Sequence, residues 1–219
     1  MRILCIGYRS WALKIYKYLV ENYPQHEFHI IKSNNEYSEK DIEALTPDLI
    51  LCYGWSWKIS HLITSKYTCL MLHPSALPKY RGGSPLQNQI ISGIRFSKAT
   101  IFIMNEAVDS GDIIAQEDLC LDGDMEEIFD RLEFAGISMS KKLLNDGISN
   151  RIKQDEREAT YCQRRTPKES EITIEEILYK DAEYIYNKIR MLGDPYPNAY
   201  IRTVDNKKIL LKKVELFQE

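Results

Sequence analysis

The segment His73-Pro-Ser-Ala-Leu-Pro-Lys-Tyr-Arg-Gly82 sets an ionisable ring at the end of an apolar run, Cys69-Leu-Met-Leu72. Pro74 and Pro78 each remove an amide donor and fix φ, so the segment is not a helix interior. His73 and Leu77, each preceding a proline, are held toward extended geometry. An imidazole therefore stands where a buried strand ends and a rigid turn begins, the carboxyl edge at which open α/β sheets bind ligands. Histidine titrates near neutrality, so His73 is suited either to donate to an oxygen that gains negative charge or to accept a proton. A carboxylate beside it would orient the ring and favour its charged form. Asp109, held in the turn Asp109-Ser-Gly111, suits that role. Read one at a time, His73 is equally a core or capping histidine and Asp109 a turn former. Lys79 and Arg81 flank Tyr80 on the same loop and suit a diphosphate, because guanidinium offers paired donors and ammonium a point charge; Lys79 reads equally as a solvated surface charge, and Arg81, preceding Gly-Gly, as a buried structural one. Arg9-Ser10 adds a second anion position where the first helix begins.

The 219 residues fit one domain with a small appendage. A net charge of −3 argues against a broad nucleic-acid footprint but leaves room for a local basic pocket. The five cysteines (5, 52, 69, 120 and 162) form no CxxC pair, and three lie in apolar runs where a thiol acts as a small hydrophobe. No metal is expected. The apolar part of the N-terminus is too short for a signal peptide, and no run approaches a membrane span. A cytoplasmic protein with no membrane partner is expected.

The elements that must carry these residues follow from periodicity. Apolar runs at 3–6, 28–31, 48–53 and 68–72 read as strands separated by helical stretches. That alternation predicts parallel pairing with right-handed crossovers. Pro85 opens a helix running to about Ile91. Strands at 99–104 and 112–116 should pair antiparallel across the 109–111 turn. A long amphipathic helix covers 125–144. Residues 151–170, rich in charge, read as a linker wrapping the 1–150 domain. Residues 171–219 read as one helix over 172–192 and a hairpin over 198–202 and 209–214. A lone hairpin is marginal, so it must pack on the body or on a second subunit. The fold class is α/β: a Rossmann-like, mostly parallel sheet flanked by helices, with this C-terminal appendage. The loop Gly7-Tyr-Arg-Ser10 lacks GxGxxG, which argues against a nicotinamide cofactor.

The His73–Gly82 run, the following Ser84-Pro-Leu-Gln87 and the segment Val108-Asp-Ser-Gly-Asp-Ile113 resemble the folate-dependent formyltransferases. Asp109 falls 36 residues after His73, as in that family. Arg164-Arg-Thr-Pro-Lys-Glu-Ser170 and Gly193-Asp-Pro-Tyr-Pro-Asn-Ala199 match its tRNA and sugar branches. The resemblance implies 10-formyltetrahydrofolate as donor, a primary amine as acceptor, and an Asn-x-His pair with a downstream Asp as the catalytic set. His73 and Asp109 match the last two; Met71 stands where the family has Asn. A thioether donates no hydrogen bond, and a donor to a developing oxyanion is typically worth ~10²–10³ in rate. Asn88, Asn105 and Ser84 are the nearby candidates to replace it. The resemblance further implies that Ser75, Ala76, Leu77 and Pro78 line the folate site, with Trp55 or Trp57 bordering it.

Only 20 residues follow the Gly193–Ala199 motif in this sequence, whereas the tRNA branch carries a second domain that grips nucleic acid. The expected acceptor is therefore a nucleotide-linked amino-dideoxy sugar of surface-polysaccharide synthesis, bound by Arg9, Ser10, Lys79 and Arg81. The expected assembly is a homodimer through the C-terminal region, without nucleic acid. Glycinamide ribonucleotide, methionyl-tRNA and a catalytically inactive folate-binding role are the alternatives.

Overall fold

The computed structural model describes residues 1–217. Its first half alternates β1 (Arg2–Ile6), α1 (Ser10–Asn22), β2 (Glu27–Ile31), α2 (Glu39–Leu45), β3 (Leu49–Tyr53), α3 (His61–Lys66) and β4 (Cys69–His73). A two-residue strand, β5 (Arg81–Gly82), and α4 (Pro85–Ile91) precede β6 (Phe96–Ile103), β7 (Ile113–Cys120) and α5 (Met125–Asp146). The main sheet has the order β2-β1-β3-β4-β6-β7. Its first four strands are parallel, and β6 and β7 join antiparallel, as the short connection at 104–112 requires. β7 runs to Cys120 rather than stopping at 116, since β6 begins at Phe96 and supplies partners that far.

The parallel strands are apolar on both faces, and the period of two divides them between two cores. Ile3, Cys5, Leu51 and Leu70 face α1 and α5, whereas Leu4, Ile6, Ile50 and Cys69 face α2 and α3. A capping box joins Asp124 and Glu127 at the start of α5. Gly136 lets α5 approach closely, because a Cβ there would stand 2.4 Å from Ile15 Cδ1. At the carboxyl edge the Tyr16 hydroxyl donates to the Ile6 (3.0 Å) and Leu51 (2.9 Å) carbonyls and accepts from Tyr53 N–H (2.7 Å). It thereby wedges β1 from β3 where their ladder ends, and Gly7 follows at a point where a Cβ would meet Tyr53 O at 2.0 Å. The loop bearing Tyr8 and Arg9 leaves the sheet at this opening.

Residues 151–170 form a strap that pairs with the body at two points. Ile152 exchanges backbone hydrogen bonds with Ile113 (2.8 and 2.9 Å), and β8 (Tyr161–Cys162) pairs with β5. The expected single helix over 172–192 is two, α6 (Ile174–Tyr179) and α7 (Ala182–Arg190), because the Asp181 carboxylate caps a new start by accepting from Tyr184 N–H (2.7 Å). The hairpin is β9 (Ala199–Arg202) with β10 (Lys208–Leu211); the strand expected to reach 214 ends three residues earlier. Met191, Leu192 and Ala199 join the α1–α5 core, and buried Arg190 donates to the Leu121 (2.6 Å) and Gly123 (2.9 Å) carbonyls. The appendage thus packs on the body. No helix among the described residues is long and apolar enough to cross a membrane.

Candidate active site

One cavity of about 1130 Å³ opens at the carboxyl edge of β1, β3 and β4. That exceeds the ~300–1,000 Å³ usual for a single small ligand, so it has room for two reactants. His73 and Asp109 both line it. β4 delivers His73, which is 4 % exposed, and the returning 104–112 loop delivers Asp109. His73 Nε2 lies 2.9 Å from the Tyr80 carbonyl, which can only accept, so this nitrogen carries the hydrogen. In the neutral ring the lone pair then sits on Nδ1, and Nδ1 is 3.5 Å from Asp109 Oδ2. The same oxygen accepts from Gly82 N–H at 2.8 Å. Asp109 sits at φ 48°, a left-handed conformation that asparagine and aspartate tolerate better than most. The strap secures it: Gln154 Nε2 donates to the Asp109 (2.9 Å) and Gly111 (2.7 Å) carbonyls.

Nδ1 is the ring nitrogen left without a backbone partner, and it faces the carboxylate inside the cavity. Phe102 meets the His73 ring edge-on with centroids 6.5 Å apart. Met71, Phe102 and Met104 make an apolar wall beside the pair. Burial raises the thiol pKa of Cys5 and Cys52, and that of Cys69 to about 12, so none of these is a thiolate at neutral pH.

Of the candidate replacements for the missing amide, Asn88 is consumed, its Nδ2 facing the Gly83 (3.1 Å), Ser84 (3.0 Å) and Gln163 (3.1 Å) carbonyls. Asn105 and Ser84 line the cavity. Asn105 Oδ1 accepts from Ser110 at 3.0 Å, leaving its amide hydrogens available. Ser84 Oγ accepts from Arg165 N–H at 3.1 Å and retains its own hydrogen.

The other expected site residues divide. Arg9 and Trp55 line the cavity. The Arg9 guanidinium lies between the Tyr8 and Tyr196 rings, 4.9 and 5.1 Å from their centroids. Ser75, Ala76, Leu77 and Pro78 do not line it, for their peptide groups are already used. The Ser75 carbonyl accepts from Thr100 Oγ1 (2.7 Å), that of Leu77 from Gln116 Nε2 (3.1 Å), that of Ala76 from Lys79 N–H (3.0 Å) and that of Pro78 from Thr160 N–H (3.2 Å). These bonds fix the turn that follows His73. Ser10 and Lys79 are exposed outside the cavity. Arg81 is fully buried, donating to Gln154 (3.0 and 2.8 Å), Glu156 (2.9 and 2.8 Å) and Tyr161 (2.8 Å), so it clamps the strap rather than a phosphate.

Residues not anticipated at the site are Gln87, Arg164 and Arg165. Gln87 stood in a quoted motif, and its spacing after Gly83 puts it in the first turn of α4, where it turns inward. Arg164 and Arg165 stood in the charge-rich 151–170 linker, which carries them back over Gly83 and Ser84. There Arg164 Nη2 reaches the Ser56 carbonyl at 3.1 Å.

Residues 14–140 match the formyl transferase family model. The chain belongs to the formyl transferase family. The methionyl-tRNA formyltransferase of Ehrlichia chaffeensis is 34% identical over 184 residues, 81% of this chain and 57% of that protein. This member of the family spans little more than half the length of such curated relatives. Among solved structures, a methionyl-tRNA formyltransferase from Clostridium thermocellum is 34% identical, with a TM-score of 0.85 and full coverage of both chains. HypX from Aquifex aeolicus in complex with tetrahydrofolic acid aligns at 0.82 and 23% identity over 97% of this chain and 37% of its own. A 4-N formyltransferase from Francisella tularensis aligns at 0.80 and 19% identity over 100% and 98%. These last two share this chain's fold.

Proposed function

We propose that the protein moves a formyl group from 10-formyltetrahydrofolate to a primary amine. The observation that carries this reading is the approach of His73 Nδ1 to Asp109 Oδ2, 3.5 Å apart in one cavity although 36 residues separate them. Addition of an amine to a formyl carbon charges the formyl oxygen and leaves a surplus proton on the amine. His73, protonated at Nδ1, donates to that oxygen; Asp109 takes the amine's proton directly or through water and returns it to the folate nitrogen as the bond between that nitrogen and the formyl carbon breaks and tetrahydrofolate leaves. The apolar wall of Met71, Phe102 and Met104 suits the flat pterin face of the folate donor.

Identity at 34–36% with methionyl-tRNA formyltransferases favours the methionine amine of an aminoacylated tRNA as the acceptor. A nucleotide-linked amino sugar is the second reading. Four cations of the cavity wall (Arg9, Lys58, Arg164, Arg165) against two carboxylates (Glu106, Asp109) support it, a small basic pocket on a chain of net charge −3. Incubation with 10-formyltetrahydrofolate and methionyl-tRNA, dTDP-4-amino-4,6-dideoxyglucose or glycinamide ribonucleotide tests both. Tetrahydrofolate release with one amine names the acceptor, and none with any amine refutes the activity. We also propose a cytoplasmic location, consistent with five free thiols. A homodimer through the C-terminal face is proposed from the exposed Ile174, Leu178 and Tyr179 and the groove holding Ile177 and Leu216. A monomer in sedimentation at 100 µM would sink it.

A further inference from the structure

Two buried glutamines stand two residues apart on α4, and their side chains fare differently. Gln89 is satisfied: Nε2 donates to the Pro74 (2.8 Å) and Pro85 (3.0 Å) carbonyls, and Oε1 accepts from Ser97. Gln87 is 3 % exposed, and its Nε2 is buried with no acceptor among the described residues. Gln87 lines the cavity that holds His73 and Asp109, whereas Gln89 does not. Buried polar groups are normally paired, and an orphan in a ligand cavity points to a partner that arrives with the ligand; Trp55 Nε1, on the same lining, is also without an acceptor among the described residues. A second donor lies close by in the chain's packing. Arg165 binds Ser84 Oγ through its backbone N–H, and its own Nε is likewise buried without an acceptor.

We infer that Gln87 holds an oxygen atom of the amine-bearing acceptor and so selects amines that carry such an oxygen. The inference rests on the formyl-transfer reading. A carboxamide NH₂ donates to carbonyl, ester, hydroxyl or phosphate oxygen and has nothing to offer an aliphatic chain. The wall contributed by Trp11, Leu72, Leu86, Phe129 and Leu132 is apolar, so the amide is the feature that orients the ligand there. An α-amino ester and a hydroxylated amino sugar both supply the oxygen; a plain alkylamine does not. Gln87 is thus a specificity-determining residue that docks the acceptor beside His73, with Arg165 contributing a second donor.

The test compares wild type with Gln87→Met, a variant of similar volume without the donor, using 10-formyltetrahydrofolate and whichever of methionyl-tRNA or dTDP-4-amino-4,6-dideoxyglucose the wild type formylates. Loss of one hydrogen bond to the acceptor raises its KM roughly ten-fold, with the folate KM within two-fold. The ligand-free variant melts several degrees higher, since the orphan donor is gone. An acceptor KM within two-fold of wild type, or equal rises in both KM values, overturns the assignment. If Gln87→Met does not fold, Gln87→Glu is read by the same two KM values. Wild type that formylates no amine refutes the formyl-transfer reading itself, whereas wild-type transfer with unaltered variant kinetics refutes only the role of Gln87.

Discussion

Replacing Asp109 by asparagine removes one charge and almost no volume. The Gly82 N–H at 2.8 Å retains an acceptor, because an amide oxygen can take the place of Oδ2. Gln154 binds the backbone carbonyls of Asp109 and Gly111, so the turn is held as before. What is lost is the attraction between a carboxylate and an imidazolium whose nearest atoms are 3.5 Å apart, with side chains 12 % and 5 % exposed. At an effective dielectric of about 20 that attraction is ~5 kcal/mol. The amide dipole and reorganised solvent recover part of it, leaving about 2–4 kcal/mol, or roughly thirty- to a thousand-fold in rate. The expected result for Asp109→Asn is a fall of that size in kcat. KM for folate and acceptor should stay within about three-fold, and the melting temperature within a few degrees. Steady-state kinetics with calorimetry of the same preparation measures all of these. A variant retaining more than a third of kcat, or one whose lost activity follows a collapsed melting temperature, refutes the reasoning.

Arg81→Met should act on folding, because its guanidinium holds Gln154, Glu156 and Tyr161. A loss of about 2–4 kcal/mol in denaturant unfolding is expected, and unchanged stability with a raised acceptor KM would return Arg81 to the phosphate role. Met71→Asn should keep at least a third of kcat; a larger loss would make the thioether part of the working site. Burial alone would raise the Glu176 carboxyl pKa, yet Lys188 Nζ at 2.6 Å, Thr173 N–H and the Tyr184 hydroxyl hold it below the usual glutamate range. A lowered folded pKa gives stability above the unfolded value of about 4.3 that is lost as pH falls through the folded one. Glu176→Gln should therefore melt below wild type at pH 7, the gap closing under about pH 4; a gap unchanged at pH 3.5 contradicts this.

The main strands were legible because each is an apolar run bounded by a turn residue, and His73 because two prolines fix where its strand ends. Its pairing with Asp109 was anticipated from motif spacing, which is a statement about relatives; proximity itself arises only when β6 and β7 fold the 104–112 loop back. Arg81 was placed among the phosphate contacts although its position before a Gly-Gly pair already favoured a buried, structural guanidinium. Its partners come from residues more than seventy positions later. That Ser75–Pro78 lie off the cavity lining was equally illegible, since only the sheet shows Thr100 and Gln116 bonded to the Ser75 and Leu77 carbonyls. The break at Lys180–Asp181 was within reach: an aspartate three residues before Tyr184 is an ordinary helix start. Gln87 and Arg165 were hidden for want of a periodic signal, because a missing partner is visible only in three dimensions.

The strap has a consequence for anyone who would cut or recombine these proteins. Residues 14–140, the stretch common to the family, contain His73 and Asp109, yet the grip on the aspartate's turn comes from Gln154 and that on the neighbouring loop from Glu156, Thr160 and Cys162. A fragment ending after α5 would retain a folded sheet with an unbuckled reaction centre. Chimaeras that exchange acceptor modules between relatives should therefore be joined beyond residue 165, so that the belt travels with the chemistry it fastens.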